Sequence, residues 1–165
     1  YVVGDMVRLV DRSPPRILMT GRTAQMLSAF GEHLIGEEIE AAIADAAHAI
    51  TTSVTDYAVG SLFPNDDSAR GGHLYVVEFD TPPEPERLEQ FATVLDSHLC
   101  ETNEDYAAHR AEGFGLDAPR LRPVPHGSFA AWMKSRGKLG GQHKVPRVIN
   151  DPALFADLLR YTDAE

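Results

Sequence analysis

The sequence predicts an α+β domain in which helices pack on one face of a largely antiparallel sheet. Several segments repeat apolar residues at helical spacing. Others are short β-branched or aromatic runs that follow one another with only turn residues between them, as paired strands do. The 165 residues are 43% apolar and 24% charged, which is the balance of one folded domain with a real core.

The first predicted element is a hairpin. Residues 2–10 and 16–20 are apolar runs, and Ser13-Pro14-Pro15 between them is typical of a turn. No helix is predicted early enough to cover this hairpin, so we expect it to pack against a part of the protein outside this sequence. Because the chain begins with Tyr1 instead of methionine, we interpret it as a processed product or a piece of a longer protein.

Helices and strands then alternate. Residues 37–50 place Ile39, Ile43 and Ile50 on one face and acidic residues in the first turn, as an amphipathic helix does. Two neighbouring apolar runs are predicted to pair as strands, and a helix follows them. The later elements are predicted from the same patterns. The predictions are strands at 51–63 and 73–79, helices at 84–99 and 102–112, an edge strand at 118–125, a helix from Ser128 and a final helix at 152–161.

Charge is unevenly distributed along the chain. The formal net charge of −10 disfavours broad binding to nucleic acid or to an anionic membrane. Residues 120–150 nevertheless contain seven Lys and Arg and no Asp or Glu. Such a basic segment in an acidic domain predicts a local anion site, and the alternative is a solvated basic face with acidic neighbours.

Other classes of site and location are disfavoured. Cys100 has no partner for an internal disulfide, and its place after an apolar helical stripe predicts a buried, inert thiol. The seven histidines lack metal-site spacing, and neither a phosphate-binding P-loop nor a serine nucleophile elbow is present. Without a signal peptide or an apolar run of about 18 residues, we expect a cytoplasmic protein.

Two glycine-containing motifs suit nucleotide chemistry. The loop over residues 135–147 combines glycines with Lys and Arg, a pairing that suits a phosphate. Near the start, Tyr1-Val-Val-Gly-Asp5 resembles the ribose-binding motif of adenylate-forming enzymes, the superfamily of acyl-CoA synthetases, adenylation domains and firefly luciferase. Thr20-Gly21-Arg22 is similar to the hinge motif of that superfamily, and Glu37-Glu38-Ile39-Glu40 resembles the acidic helix start that follows it.

The C-terminal stretch carries a narrower resemblance. His126-Gly-Ser-Phe, Ser135-Arg-Gly and Gln142-His-Lys-Val-Pro-Arg147 resemble the end of the auxin-responsive acyl-acid amido synthetases, which are plant hormone-conjugating enzymes with bacterial relatives. The resemblance implies that residues 25–165 form the C-terminal lid domain. It also implies that residues 1–24 are the end of an N-terminal domain together with the hinge.

The resemblance also implies roles near the nucleotide. Asp5 would bind the ribose hydroxyls, and Arg22 would support the nucleotide from beside the hinge. His33 occupies a position where many amido synthetases carry lysine, and it would contact phosphate or take a proton from the attacking amine. The usual acidic hinge residue is replaced by Ala24.

Lys144 is the predicted catalytic residue. By resemblance it is the lid lysine that reaches the α-phosphate and the acyl carboxylate while pyrophosphate leaves. Lys138 is its rival, because Gly-Lys-Leu also resembles a motif of acyl-CoA synthetases, and Arg147 is a further candidate. No metal-binding residue is predicted in the chain itself.

The resemblance implies an ATP-dependent enzyme, accompanied by Mg²⁺, that adenylates a carboxylic acid and transfers the acyl group to an amine, with an amino acid expected. Its partners would be the missing N-terminal domain and these two substrates, and the isolated chain would be inactive or nearly so. One alternative is the C-terminal domain of an acyl-CoA ligase. Another is a non-catalytic module that binds a small ligand or a protein.

Overall fold

The computed structural model describes residues 4–22, 25–64, 70–111, 115–138 and 144–163, and these form an α+β domain as predicted. The strands are β1 (Asp5–Arg12), β2 (Pro15–Arg22), β3 (Met26–Leu27), β4 (Leu34–Ile35), β5 (Val54–Leu62), β6 (Gly72–Phe79) and β7 (Arg120–Val124). The helices are α1 (Gly36–Ala49), α2 (Pro85–Thr102), α3 (Glu104–Arg110), α4 (Ser128–Ser135) and α5 (Pro152–Asp163).

A three-stranded sheet in the order β5–β6–β7 forms the centre of the domain. β5 and β6 are antiparallel neighbours in sequence, as predicted, and Val54 pairs with Phe79 at one end. β7 lies at the edge, also as predicted, but it runs parallel to β6. Its direction follows from the connection, because α2 and α3 carry the chain back across the sheet as a crossover.

Helices cover both faces of this sheet, so the expectation that they cover one face is wrong. Every residue of β6 is buried. Tyr75, Val77 and Phe79 pack in a cluster with α1 and α2, whereas Leu74 and Val76 pack in a second cluster with α4 and α5. The apolar run of β6 has no polar alternation because both of its faces are buried. Among the described residues, no helix is long and apolar enough to cross a membrane.

The opening hairpin forms a separate two-stranded sheet of β1 and β2. Its side chains are far more exposed than those of the central sheet, and Arg8 contacts Glu37 of α1 across 3.4 Å. Six large apolar side chains are 49–67% exposed: Val7, Leu9, Val10, Ile17, Leu18 and Met19. The short pair β3–β4, which follows the hairpin, is too brief to leave a periodic pattern and was not predicted.

Candidate functional site

A cleft of about 1230 Å³ opens beside the central sheet. It is lined by the start of α1, by β5 and β6, by the region of α4 and by the segment 144–148. Three predicted site residues line it together: Lys138, Lys144 and Arg147. Both lysines lie in the connection between α4 and α5, and two described parts of the basic segment therefore line the same cleft.

Arg147 fixes the lysine-bearing loop to the central sheet. Its guanidinium lies 3.1 Å from a carboxylate oxygen of Glu40 and 3.9 Å from one of Asp56. It also lies over the ring of Tyr57, 4.9 Å from the centroid. The backbone N–H of Val59 donates to the Arg147 carbonyl at 2.8 Å. With these contacts Arg147 anchors the loop, because its guanidinium already has anionic and aromatic partners.

Glu78 is a buried carboxylate beside the cleft. It accepts hydrogen bonds from the backbone N–H groups of Gly127 at 2.9 Å and Phe129 at 3.0 Å, which lie at the start of α4. A carboxylate stabilises the positive end of the helix dipole, so Glu78 holds α4 against the sheet. Sequence reasoning missed this residue. Its signal is a single acid inside the apolar run of β6.

Asp56 neighbours Glu78 across the strand pair, where their Cα atoms are register partners. Burial raises the pKa of the Asp56 carboxyl, and the nearby Glu78 charge adds to this. The hydrogen bond from the Tyr57 backbone and the charge of Arg147 oppose the shift without cancelling it. Burial also raises the pKa of the Tyr57 phenol to about 12, so this ring stays uncharged at neutral pH.

All four acidic side chains that line the cleft have partners. They are Glu37 with Arg8, Glu40 and Asp56 with Arg147, and Glu78 with the amides of α4. The ammonium groups of Lys138 and Lys144, by contrast, make no ion pair or hydrogen bond with any other described residue. Lys138 and Lys144 are therefore the cations of the cleft that have no ion-pair partner among the described residues, and such groups suit an anionic ligand.

The other predicted site residues lie elsewhere. Asp5 begins β1 opposite Arg22, the last residue of β2, and the Arg22 side chain is outside the described part of the structure. His33 has a left-handed backbone with φ 45°, and its Nδ1 lies 3.2 Å from an Asp105 carboxylate oxygen. Neither Asp5 nor His33 lines the cleft. Ala24 and residues 139–143, which include Gln142 and His143 of the predicted motif, lie outside the described residues.

The single cysteine is poorly placed for nucleophilic chemistry. Cys100 is partly buried at the end of α2, and burial raises the pKa of its thiol, with the Asp96 charge adding to the effect. Less thiolate at neutral pH means a less reactive sulfur. Within the described ranges, no group of three His, Cys, Asp or Glu side chains is placed to hold a metal ion.

Comparison with known proteins identifies the fold. Residues 37–153 match the family model of the GH3 family C-terminal domain. A solved structure of a GH3.15 acyl acid amido synthetase matches 99% of this chain with a TM-score of 0.77 at 17% sequence identity. A second, AtGH3.15 acyl acid amido synthetase in complex with 2,4-DB, matches 96% with a TM-score of 0.70 at 18% identity.

These similarities have definite limits. The chain spans only 30% of the length of each of those two solved chains. At 17–18% identity the likeness shows the fold alone. No curated protein matches the sequence significantly.

Proposed function

This chain belongs to the GH3 family, and we propose that it is the C-terminal lid domain of an ATP-dependent acyl acid amido synthetase. The complete enzyme would adenylate a carboxylic acid and transfer the acyl group to an amine, with an amino acid as the expected acceptor. Transfer to coenzyme A is the alternative that product analysis has to separate from it.

The proposal is carried by the two ammonium groups in the cleft, those of Lys138 and Lys144, which have no partner in the part of the chain that the structure describes. Lys144 would contact the α-phosphate and the acyl carboxylate, where negative charge increases as pyrophosphate leaves. Its loop is held in place by the contacts of Arg147 with Glu40 and Tyr57, so a positive group is available there before the reaction begins. Lys138 would contact a second phosphate oxygen or replace Lys144 in this role.

ATP would bind in the cleft through its phosphates, because the two lysines offer positive charge to an anion. ATP supplies the adenylyl group that activates the acid. Mg²⁺ would enter bound to the nucleotide phosphates, since it commonly keeps several waters and few protein ligands.

The proposed domain division assigns residues 1–24 to the end of a larger N-terminal domain and to the hinge. Its support is the exposed apolar surface of the hairpin and the limited span of the chain against its structural relatives. Asp5 and Arg22 would contact the nucleotide from that domain, and His33 would contact phosphate after a lid movement. The isolated chain would then show little or no activity.

The test is ATP–pyrophosphate exchange by the full-length protein with a panel of carboxylic acids. We expect Lys144→Ala to lower the exchange rate roughly 10²–10³-fold, because a preorganised charge is lost from the transition state. Lys134→Ala is the matched control: this exposed lysine of α4 does not line the cleft, and its loss should leave exchange unchanged.

The outcomes separate the alternatives. Loss of exchange in Lys138→Ala but not in Lys144→Ala would move the catalytic role to Lys138. Absence of exchange in the wild-type protein with every acid would contradict the proposed adenylation. Once exchange is established, products formed with amino acids or with coenzyme A identify the acceptor.

A further inference from the structure

His126 lies directly before α4 and lines the same cleft as Lys138 and Lys144. Its Nδ1 is 3.4 Å from a carboxylate oxygen of Glu78. The imidazole is 64% exposed, whereas the Glu78 side chain is only 4% exposed. An open cleft therefore contains a histidine whose inner nitrogen faces a buried carboxylate.

The position of the Glu78 carboxylate is fixed from two sides. It extends from the central strand β6, and the amides of Gly127 and Phe129 donate to its two oxygens. A carboxylate at one imidazole nitrogen keeps a proton on that nitrogen and leaves the other able to accept one. With Nδ1 facing Glu78, the nitrogen of His126 that would accept a proton is Nε2. A carboxylate beside a histidine is also found in enzymes that use the histidine as a general base.

We propose that His126 is the general base for amide formation, an inference that rests on the proposed function. The amine nitrogen forms a bond to the acyl carbon of the acyl adenylate. The bond between that carbon and the phosphate oxygen breaks, and its electron pair leaves with AMP. The amine of an amino acid is largely protonated at neutral pH, so one proton must leave before its nitrogen can attack, and this proton goes to Nε2 of His126 and then to water. The second proton, which the nitrogen loses after the new bond has formed, goes to water.

Other titratable groups that face this part of the cleft are poorly suited to the task. Asp56 of β5 accepts from the Tyr57 backbone at 2.9 Å and lies near Arg147. Glu37 and Glu40 of α1 are paired with arginines. The lysines at 138 and 144 are cations at neutral pH and have no lone pair to accept a proton. Imidazole is the side chain that commonly accepts protons in this pH range.

The experiment compares two half-reactions in the full-length enzyme. ATP–pyrophosphate exchange needs no amine, so His126→Gln should leave its rate within about 3-fold of wild type. Amide formation with an amino acid should fall about 100-fold, which is the usual loss when a general base is removed. Hydroxylamine is a weakly basic amine that is already neutral at pH 7, so transfer to it should fall much less.

His98→Gln is the matched control. His98 also pairs with a carboxylate, through Nδ1 at 3.1 Å from Asp45, but this pair joins α2 to α1 and does not line the cleft. Both half-reactions should be unchanged in this variant.

The results that overturn the inference are distinct. Amide formation unchanged in His126→Gln, or lost equally with amino acid and hydroxylamine, would rule out the base. An equal loss of exchange and amide formation would indicate a structural role. If wild-type enzyme shows no exchange at all, the proposed function fails and this inference fails with it, whereas normal exchange with an unaffected variant removes only the inference.

Discussion

Two antiparallel strand pairs of similar length differ sharply in how far their apolar side chains are exposed. In β1–β2, large apolar side chains such as Leu9 and Ile17 are 53% and 67% exposed. In β5–β6, Tyr75 and Val77 are 0% exposed. Both pairs are antiparallel ladders over most of their length, so pairing alone does not bury side chains. Burial requires a second layer, which helices supply on both faces of β6, whereas α1 leaves most of the large apolar side chains of the hairpin exposed.

The largest expected effect compares a leucine from each pair. Leu74 of β6 is 7% exposed and Leu9 of β1 is 53% exposed. Leu74→Ala should lower the free energy of unfolding of the 165-residue chain by about 2–4 kcal/mol, because it leaves a cavity in the core. Leu9→Ala should change it by less than about 0.5 kcal/mol. Urea unfolding of both variants measures the difference.

Repeating the pair in the full-length protein sharpens the comparison. If the hairpin packs on the proposed N-terminal domain, Leu9→Ala becomes destabilising there, while the cost of Leu74→Ala stays the same. Equal costs for the two variants in the 165-residue chain would mean that the hairpin is buried in solution, contrary to the structure.

An intermediate effect on the free energy of unfolding is expected for a substitution at Glu32, where the segment after the hairpin contacts the central sheet. Glu32 is fully buried, lies 2.9 Å from the His73 Nε2 of β6, and accepts from the backbone N–H groups of Ala29 and Phe30. Burial acts to raise the pKa of Glu32, but these hydrogen bonds and the His73 charge outweigh it and lower the pKa. Glu32→Gln should therefore cost about 2 kcal/mol at pH 7.

The sign of the pH dependence follows from that direction. Because the folded-state pKa lies below the ordinary glutamate value, the carboxylate stabilises the fold above about pH 4.3 and loses this effect as pH falls through the lowered pKa. The difference in free energy of unfolding between the wild type and Glu32→Gln should become smaller below that pH. Exposed Glu89→Gln is the control and should show no such narrowing. If the difference in free energy of unfolding does not change with pH, the loss of stability comes from packing and not from the charge of Glu32.

The smallest effect is expected at the ion pair between the hairpin and α1. Arg8 and Glu37 are 59% and 46% exposed and 3.4 Å apart. Exposed pairs contribute little and are screened by salt, so Arg8→Ala should cost less than about 0.5 kcal/mol and less again at high salt. A loss well above 1 kcal/mol would show that the hairpin is held tightly by this helix after all.

The sequence predicted the elements because their patterns are local. Helical spacing in α1, α2 and α5 and adjacent apolar runs in β5 and β6 follow from which side chains meet over a few residues. The direction of β7 and the second helical layer were not predictable in this way. Both depend on how a crossover returns to the sheet, and the residue pattern of a single segment does not show this.

Some residues of the candidate site could likewise be found from the sequence, and others only from the structure. Lysines at 138 and 144 were visible in the sequence as charges in an acid-free segment, and the structure places both in the lining of one cleft. The sequence did not indicate Glu78, Asp56 or Tyr57 as residues of the site. A buried acid or a tyrosine within a strand has no distinguishing spacing. The assignment of Arg147 to an anchoring role needed the distances to its partners.

The sequence by itself determined the α+β class, the hairpin, the amphipathic helices and a basic segment suited to phosphate. Tertiary structure alone decided which charges remain unpaired. Arg147 and Lys144 are three residues apart and equally cationic in sequence, yet one meets Glu40 and Tyr57 while the other has no described partner. Pairing depends on distances of a few ångströms between elements far apart in the chain, because charge interactions weaken with separation and solvent.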